Sequence, residues 1–166
     1  IDLTKAPRLQ ESASVAFQGT LKAGAFDVSG ADARSWLALP RNPNGKPNSN
    51  VLFPWMNGLH VLRRWDDRWI IYYPPTVTET DAAQYEAPFR HVVLNVAPFR
   101  ASVNRENHRL RWWIHGEARP GLFKALEPLK RYIVTPRVAK HRVFSWLPRP
   151  IVADGQLVVF ARDDET

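Results

Sequence analysis

Apolar and polar positions fall into short runs, broken by fourteen prolines and eight glycines. Residues 14–18 (SVAFQ) alternate with period two and predict a strand, and Gly19, Gly24 and Gly30 punctuate the next stretch. Asp32 stands as the N-cap of a short helix over 33–39, with Trp36, Leu37 and Leu39 as its apolar side and Pro40 at its end. Residues 41–50 (RNPNGKPNSN) are turn formers and predict a loop that places nothing in a core. An apolar region begins at 51–55, and 59–62 predict a short strand. WIIYY at 69–73 reads as a buried strand, ended by Pro74-Pro75. Thr78 or Thr80 starts a helical stretch, with Asp81 and Glu86 near its beginning. Its buried face is Tyr85, Phe89, Val92, Val93 and Val96 at three- and four-residue spacing, and Pro88 predicts a break or a fresh start inside it.

A basic helix is predicted over 104–115 with Gly116 as its stop. Arg119-Pro120 opens another, to about Leu126, with proline in the first turn where it is tolerated. Residues 131–138 and 141–147 read as two strands, either joined tightly through Ala139-Lys140 or forming one long bulged strand. QLVVFA at 156–161 is the last strand. The sum is an α+β fold, strands at both ends and helices in the middle, in a single compact domain of a length that suits one core.

Composition narrows the function. The chain of 166 residues has no cysteine, which excludes disulfides and thiolate zinc sites and fits a reducing, cytoplasmic compartment. No apolar run approaches the ~20 residues of a membrane span, so no membrane partner is expected. The first residues (IDLTKAPRLQE) mix charge and proline unlike a signal peptide, and the absence of an initial Met fits a piece of a longer protein.

The net charge of +7 is unevenly spread. Residues 1–99 hold ten Lys/Arg against nine Asp/Glu, residues 100–149 hold twelve against three, and residues 150–166 hold one against four. The block 100–149 thus carries the whole excess, and such a block attracts polyanions, chiefly nucleic acid or an acidic surface. Arginine predominates, and its planar fork meets phosphate or guanine edges with two hydrogen bonds at once. Within the block, RYIVTPRVAKHRVFSW at 131–146 combines strand formers (Ile133, Val134, Val138, Val143, Phe144, Trp146) with Arg131, Arg137, Lys140, His141 and Arg142, and contains no acid.

Catalytic patterns are missing. There is no P-loop, no GxGxxG after a strand and no nucleophile elbow. His60, His91, His108, His115 and His141 show no metal-ligand spacing, so neither a catalytic nor a metal residue is assigned. Trp112 and Trp113, set among Arg109, Arg111 and His115, either stack on bases or belong to the core. Trp55, Trp69 and Trp113 are assigned to the core.

PNSNVLFPWMNGLHVLRRWDDRWII at 47–71, YEAPFRHVVLNVAP at 85–98, WWIHGEARPGLFKAL at 112–126, RYIVTPRVAKHRVFSWL at 131–147 and DGQLVVFARDD at 154–164 together resemble a family. They are similar to blocks of the adenine-specific DNA methyltransferases of the MmeI-like type (Type IIL), bacterial restriction–modification proteins in which methylation and often cleavage share one chain. The resemblance spans the chain from about Phe17 onward. It implies a target recognition domain that follows the catalytic domain, grips duplex DNA and chooses the methylated sequence. It implies residues 1–14 as a linker from a methyltransferase domain, with that domain and double-stranded DNA as partners. It also implies that S-adenosylmethionine and the adenine N6-methylation chemistry belong to the parent protein, not to these residues, which are no enzyme by themselves. The family's Asp after Trp-Ile-Ile is Tyr72 here, and the following Gly gives way to Pro74-Pro75. The last basic block, Val138 to Arg142, differs in a way that implies a different sequence specificity.

Charge and resemblance point to the same residues. Arg137, Lys140, His141 and Arg142 are the base-reading candidates, with Lys140 and Arg142 on one face of an extended strand and His141 on the other. Arg105, Arg109, Arg111, Arg119, Lys124 and Lys130 are the phosphate-binding candidates. Asn44, Lys46, Asn48 and Asn50 either make a third contact or form a plain connection. Two other classes stay open. One is a structural or protein-interaction module presenting Trp36, Phe53 and Trp55, and the other is a single-strand binder using Trp112 and Trp113.

Overall fold

Short runs of sequence give short elements. The computed structural model describes residues 14–164, and the expected linker at 1–14 lies outside them except for Ser14. In chain order come β1 (Ala16–Gln18), β2 (Asp27–Ser29), α1 (Gly30–Leu37), β3 (Leu52–Met56), α2 (Gly58–Leu62) and β4 (Arg68–Ile71). Five helices come next without an intervening strand: α3 (Glu79–Ala83), α4 (Glu86–Asn95), α5 (Ala97–Ala101), α6 (Glu106–Leu110) and α7 (Pro120–Leu126). The chain then closes with β5 (Arg131–Pro136), β6 (Ser145–Pro148), β7 (Val152–Ala153) and β8 (Leu157–Phe160). The fold is α+β, as the sequence predicts. Among the described residues no helix is long and apolar enough to cross a membrane.

Caps decide several of the boundaries. Ser29, not Asp32, caps α1: its hydroxyl accepts from the Asp32 amide at 3.1 Å and donates to the Asp32 carboxylate at 2.7 Å. Residues 59–62, expected as a strand, belong to helix α2. Asn57 Oδ1 accepts from the Leu59 and His60 amides at 2.9 and 3.0 Å and starts a helix that a four-residue run is too short to reveal by period. The break expected near Pro88 falls just before it, because Thr78 caps α3 and α4 starts afresh at Glu86 with Pro88 in its first turn. On that face Tyr85, Val92 and Val96 are buried, but Val93 faces out. The basic helix expected over 104–115 contracts to α6, since Trp113, Ile114 and His115 turn inward as core.

Two four-stranded sheets share the work. The first, ordered β1-β8-β5-β6, is antiparallel throughout. The second, ordered β2-β4-β3-β7, ends in a parallel pair that sets Trp55 opposite Val152. The chain leaves the first sheet after β6, adds β7 to the second and returns as β8, so one segment stitches both sheets together. At the crossing Gly19 permits a contact that no side chain could, for a Cβ there would lie 2.2 Å from the Asp154 carbonyl.

Each sheet has its own core. Phe26, Val28, Ile70, Ile71, Tyr73, Val92 and Val96 pack with the second sheet, and Leu122, Leu126, Tyr132, Val134, Leu157 and Val159 with the first. Full burial of such side chains contributes ~1.5–3 kcal/mol apiece. Tyr72 joins them. It stacks on Phe123 of α7 with ring centroids 4.2 Å apart, and its hydroxyl donates to the Ala118 carbonyl at 2.9 Å. Tyr72 is therefore a core residue, whose phenol burial pushes well above its ordinary pKa. The loop 41–50 also reaches the core, contrary to expectation. Asn42 Nδ2 donates to Asn48 Oδ1 at 2.9 Å, Asn48 Nδ2 donates to the Trp36 carbonyl at 2.9 Å, and both residues are buried.

Candidate nucleic-acid interface

The basic residues divide into two groups by what their charges meet. In the first, backbone carbonyls take most of the guanidinium groups. Arg109 Nη1 donates to the carbonyls of Val103 and Asn104 at 2.9 and 3.1 Å. Arg111 Nη2 donates to the Pro75 carbonyl. Arg119 Nη2 donates to Gln18 Oε1 at 3.0 Å, with Glu117 3.6 Å from Nη1. Arg149 Nη1 donates to the carbonyls of Leu126 and Glu127 at 2.7 and 2.6 Å, closing the end of α7. Arg131 stacks on Trp146, 4.2 Å from the ring centroid.

Arg100 is the extreme case and the one that sequence reasoning passes over. It is 1 % exposed, and it donates to the carbonyls of Ile114 at 2.9 Å and Lys22 at 3.1 Å. It ties α5 to two chain segments that flank the second core. Burial lowers its pKa, yet a guanidinium stays charged there.

The second group faces water. Residues 137–144, between the central strand β5 and the edge strand β6, form a loop and not the expected strands. Strand pairing stops at Val134 opposite Ser145. Val138, Val143 and Phe144, read from the sequence as strand formers, are exposed outside any strand, Val138 by 92 %. Without a strand the shared face expected for Lys140 and Arg142 does not exist. Lys140 and His141 stand exposed, Arg137 Nη1 leans on the Gly155 carbonyl at 3.3 Å, and Arg142 Nη1 turns back to the Pro136 carbonyl at 2.9 Å. The loop thus presents four basic side chains and an apolar tip with no carboxylate of its own. Lys124, Lys130 and Arg105 lie at or just beyond the ends of α7 and α6, clear of the buried core.

The fold adds two cations that charge counting misses. Helix α2 packs against β5, and Leu59 and Leu62 share with Arg137 and Val138 a shallow cavity of about 480 Å³. Arg63 and Arg64 come directly after Leu62 and are exposed. The acids nearest in sequence do not neutralise them: Asp66 meets His60 at 2.8 Å and Arg68 at 3.3 Å, and Asp67 meets Arg34 at 2.7 Å. Leu62, the residue before them, lines that cavity together with Arg137 and Val138, so Arg63 and Arg64 leave α2 beside the base of the 137–144 loop. Such a surface suits a polyanion.

The residues of the two alternative interfaces pack in whole or in part against the core. Trp55 and Trp113 are buried, Trp36 and Phe53 pack against the same core, and Trp112 lies against Phe89 and Trp113 with centroids 5.5 and 6.0 Å apart. None is free as a stacking platform. Of the loop 41–50, Asn48 is buried and Asn44 Oδ1 accepts from the Lys46 amide at 2.9 Å, which is turn chemistry. Among the described residues no group of three His, Asp or Glu is placed to hold a metal ion.

Comparison with known proteins agrees with this geometry at the level of fold. No family model and no curated protein matches the sequence. Among solved structures, the chain is similar to part of the Type IIL restriction–modification enzyme MmeI in complex with DNA, with a TM-score of 0.60 over 90 % of this chain at 9 % identity. The match covers 19 % of that enzyme's chain. The fold is therefore one found within a restriction–modification enzyme.

Proposed function

We propose that this chain is a target recognition domain that binds duplex DNA and selects the sequence methylated by an adenine-specific, Type IIL-like methyltransferase of which it is one part. The observation that carries the reading is the likeness of fold, over nine-tenths of the chain, to a segment of an enzyme solved on DNA. The chemistry of the 137–144 loop supports it. Arg137, Lys140, His141 and Arg142 offer donors to guanine O6 and N7, and Val138 offers an apolar contact to a thymine methyl. Arg63, Arg64, Lys124 and Lys130 supply phosphate contacts, which give affinity without sequence information.

Methyl transfer lies, in this reading, in the remainder of the parent protein. S-adenosylmethionine needs partners for a ribose diol. Among the described residues the apolar cavity of about 340 Å³ lined by Tyr72, Phe123 and Ile151 offers no carboxylate for it, and no strand ends in a glycine-rich turn. The domain's share of the work is to bind and orient the duplex.

The test is duplex binding by this chain, titrated in salt, for the wild type and for Arg137→Ala with Arg142→Ala. Micromolar binding that weakens with salt and weakens further in the double variant is expected. In the parent enzyme the same pair relaxes the methylated sequence at one or two positions, since a good side-chain pair to a base contributes ~1–3 kcal/mol of discrimination. Absence of binding at low salt, together with an unchanged methylated site in the parent, refutes the reading.

A further inference from the structure

Three guanidinium groups meet at one small cavity away from the 137–144 loop. Arg100, Arg111 and Arg119 line a space of about 240 Å³ between α6 and α7, with His108, His115 and Glu117. A water's share of liquid volume is about 30 Å³, so the space accommodates a tetrahedral oxyanion. Among the described residues Glu117 is the one carboxylate on the lining and lies beside Arg119, which leaves two guanidinium charges there without a described counter-ion.

Two donors of this lining have no acceptor. The Nε atoms of Arg100 and Arg119 are both buried without a hydrogen-bond partner. A buried donor left unpaired costs ~1–3 kcal/mol, and more on a charged group. Folded chains rarely keep one, and here two belong to arginines of one lining, just beneath its surface, where they add positive potential to the cavity. Arg119 is also held in the left-handed region, at φ 51° and ψ 56°, which a non-glycine residue adopts at a cost of order 1–3 kcal/mol.

The two histidines on the lining do not themselves bind an anion. His115 Nε2 lies 2.9 Å from the Ile71 carbonyl, so the proton sits on Nε2 and the unpartnered Nδ1 is a lone pair. Burial keeps this ring neutral, its pKa pushed down to about 3. His108 is held below its ordinary value, by burial first and then by the charges of Arg100 and Arg105, which marks a positive local potential.

We infer that this cavity binds one phosphate group, held by Arg111 and Arg119 with the buried charge of Arg100 behind them. A phosphate dianion balances the two unpaired guanidinium charges, a phosphodiester balances one, and arginine forks match both geometries. The site stands apart from the DNA reading: the group belongs either to a duplex backbone or to free phosphate, and the recognition chemistry is the same.

The arginine Nε–H signals of the nitrogen-15-labelled chain test it. They are monitored while inorganic phosphate, a short DNA duplex or chloride at matched ionic strength is added. The Arg119 signal is assigned by its loss in Arg119→Lys, and the Arg100 signal by its contacts to Ile114. Phosphate is expected to shift both signals to saturation where chloride does not, and Arg111→Gln to weaken that binding at least about tenfold. The same shift with the duplex assigns the site to backbone phosphate. A shift with phosphate alone assigns it to free phosphate, and a chain that then binds no duplex refutes the recognition reading while the site stands. If neither ligand moves these signals in a chain whose amide spectrum stays folded, the site is overturned, whether or not the duplex binds elsewhere. The wild-type titration decides by itself should Arg111→Gln unfold.

Discussion

The cations of 100–119 and those around the 137–144 loop are the same residue types on one chain, yet the protein holds most of the first and leaves several of the second unheld; Arg137 and Arg142 lean on carbonyls from an exposed loop. Arg100, Arg109, Arg111 and Arg119 turn their guanidinium groups onto carbonyls and a glutamine of the protein itself. Lys140, His141, Arg63 and Arg64 have no such partner among the described residues and face water. The first group replaces missing secondary structure: α6 spans only Glu106–Leu110, and the irregular chain after it leaves carbonyls that need donors. The second lies where an edge strand and a short helix end and nothing intramolecular is left to bind. Net charge by itself therefore overstates the charge available to a polyanion, and its location by sequence block misplaces part of it.

The largest effect that separates the groups is on stability. Arg100→Ala should lower the unfolding free energy by about 4 kcal/mol, because its hydrogen bonds to the carbonyls of Ile114 and Lys22 come from a buried charged group and contribute ~1.5–3 kcal/mol each. Urea unfolding measures it. A drop below ~1 kcal/mol would mean that Arg100 is dispensable to the fold and would dissolve the distinction.

Acid should strike the inward region next. His115 is 4 % exposed, wedged between Phe26 and Tyr72 with ring centroids at 4.7 and 5.3 Å, and its folded pKa is about 3. Above the unfolded value near 6.5 the ring is neutral in both states and carries no penalty. Below it, the unfolded chain takes a proton that the folded ring refuses, so stability falls by ~1.4 kcal/mol per pH unit as pH drops toward 3, about 3 kcal/mol by pH 4. Asp154 works the other way, since burial first raises its carboxyl and folding gains as it protonates. The decisive quantity is therefore the difference in slope between wild type and His115→Gln. Equal slopes between pH 6.5 and 4 would remove His115 as the source.

These residues also show which features are legible in a sequence. The α+β class, the strands near 14–18, 131–136 and 156–161, and the helix after Arg119 arise from periodicity and turn residues, which act locally. Trp55 and Trp113 are core in both sequence and structure because large aromatics have few other places to go. The 137–144 loop reads as strand because Val138, Val143 and Phe144 have strand propensity, and only the sheet register, ending at Val134 and Ser145, shows that they leave it. Arg100 is invisible in the sequence because nothing local distinguishes a buried arginine from a surface one. Its role depends on carbonyls of Lys22 and Ile114, supplied by distant or irregular chain. Arg63 and Arg64 escape notice because 59–62 has the composition of a strand and because Asp66 and Asp67, adjacent in sequence, are paired elsewhere in space.

The smallest effect on the fold and the sharpest on the comparison comes from those two. Arg63→Ala with Arg64→Ala removes no hydrogen bond or ion pair of either side chain, so the unfolding free energy should stay within about 0.5 kcal/mol of wild type. Removing one phosphate-binding cation lowers the slope of log affinity against log salt by ~0.9, so the pair should reduce it by about 1.8 without changing which sequence is preferred. Arg109→Ala is the matched control. Its guanidinium is already turned onto Val103 and Asn104, and the slope should stay put. Should Arg109→Ala flatten the salt dependence as much as the double variant does, Arg109 meets DNA in spite of its carbonyl partners, and pairing within the protein no longer tells structural arginines from DNA-facing ones. Should only Arg63 and Arg64 do so, the duplex lies across α2 and the 137–144 loop, and charge in the sequence becomes interface only where the fold leaves it unpaired.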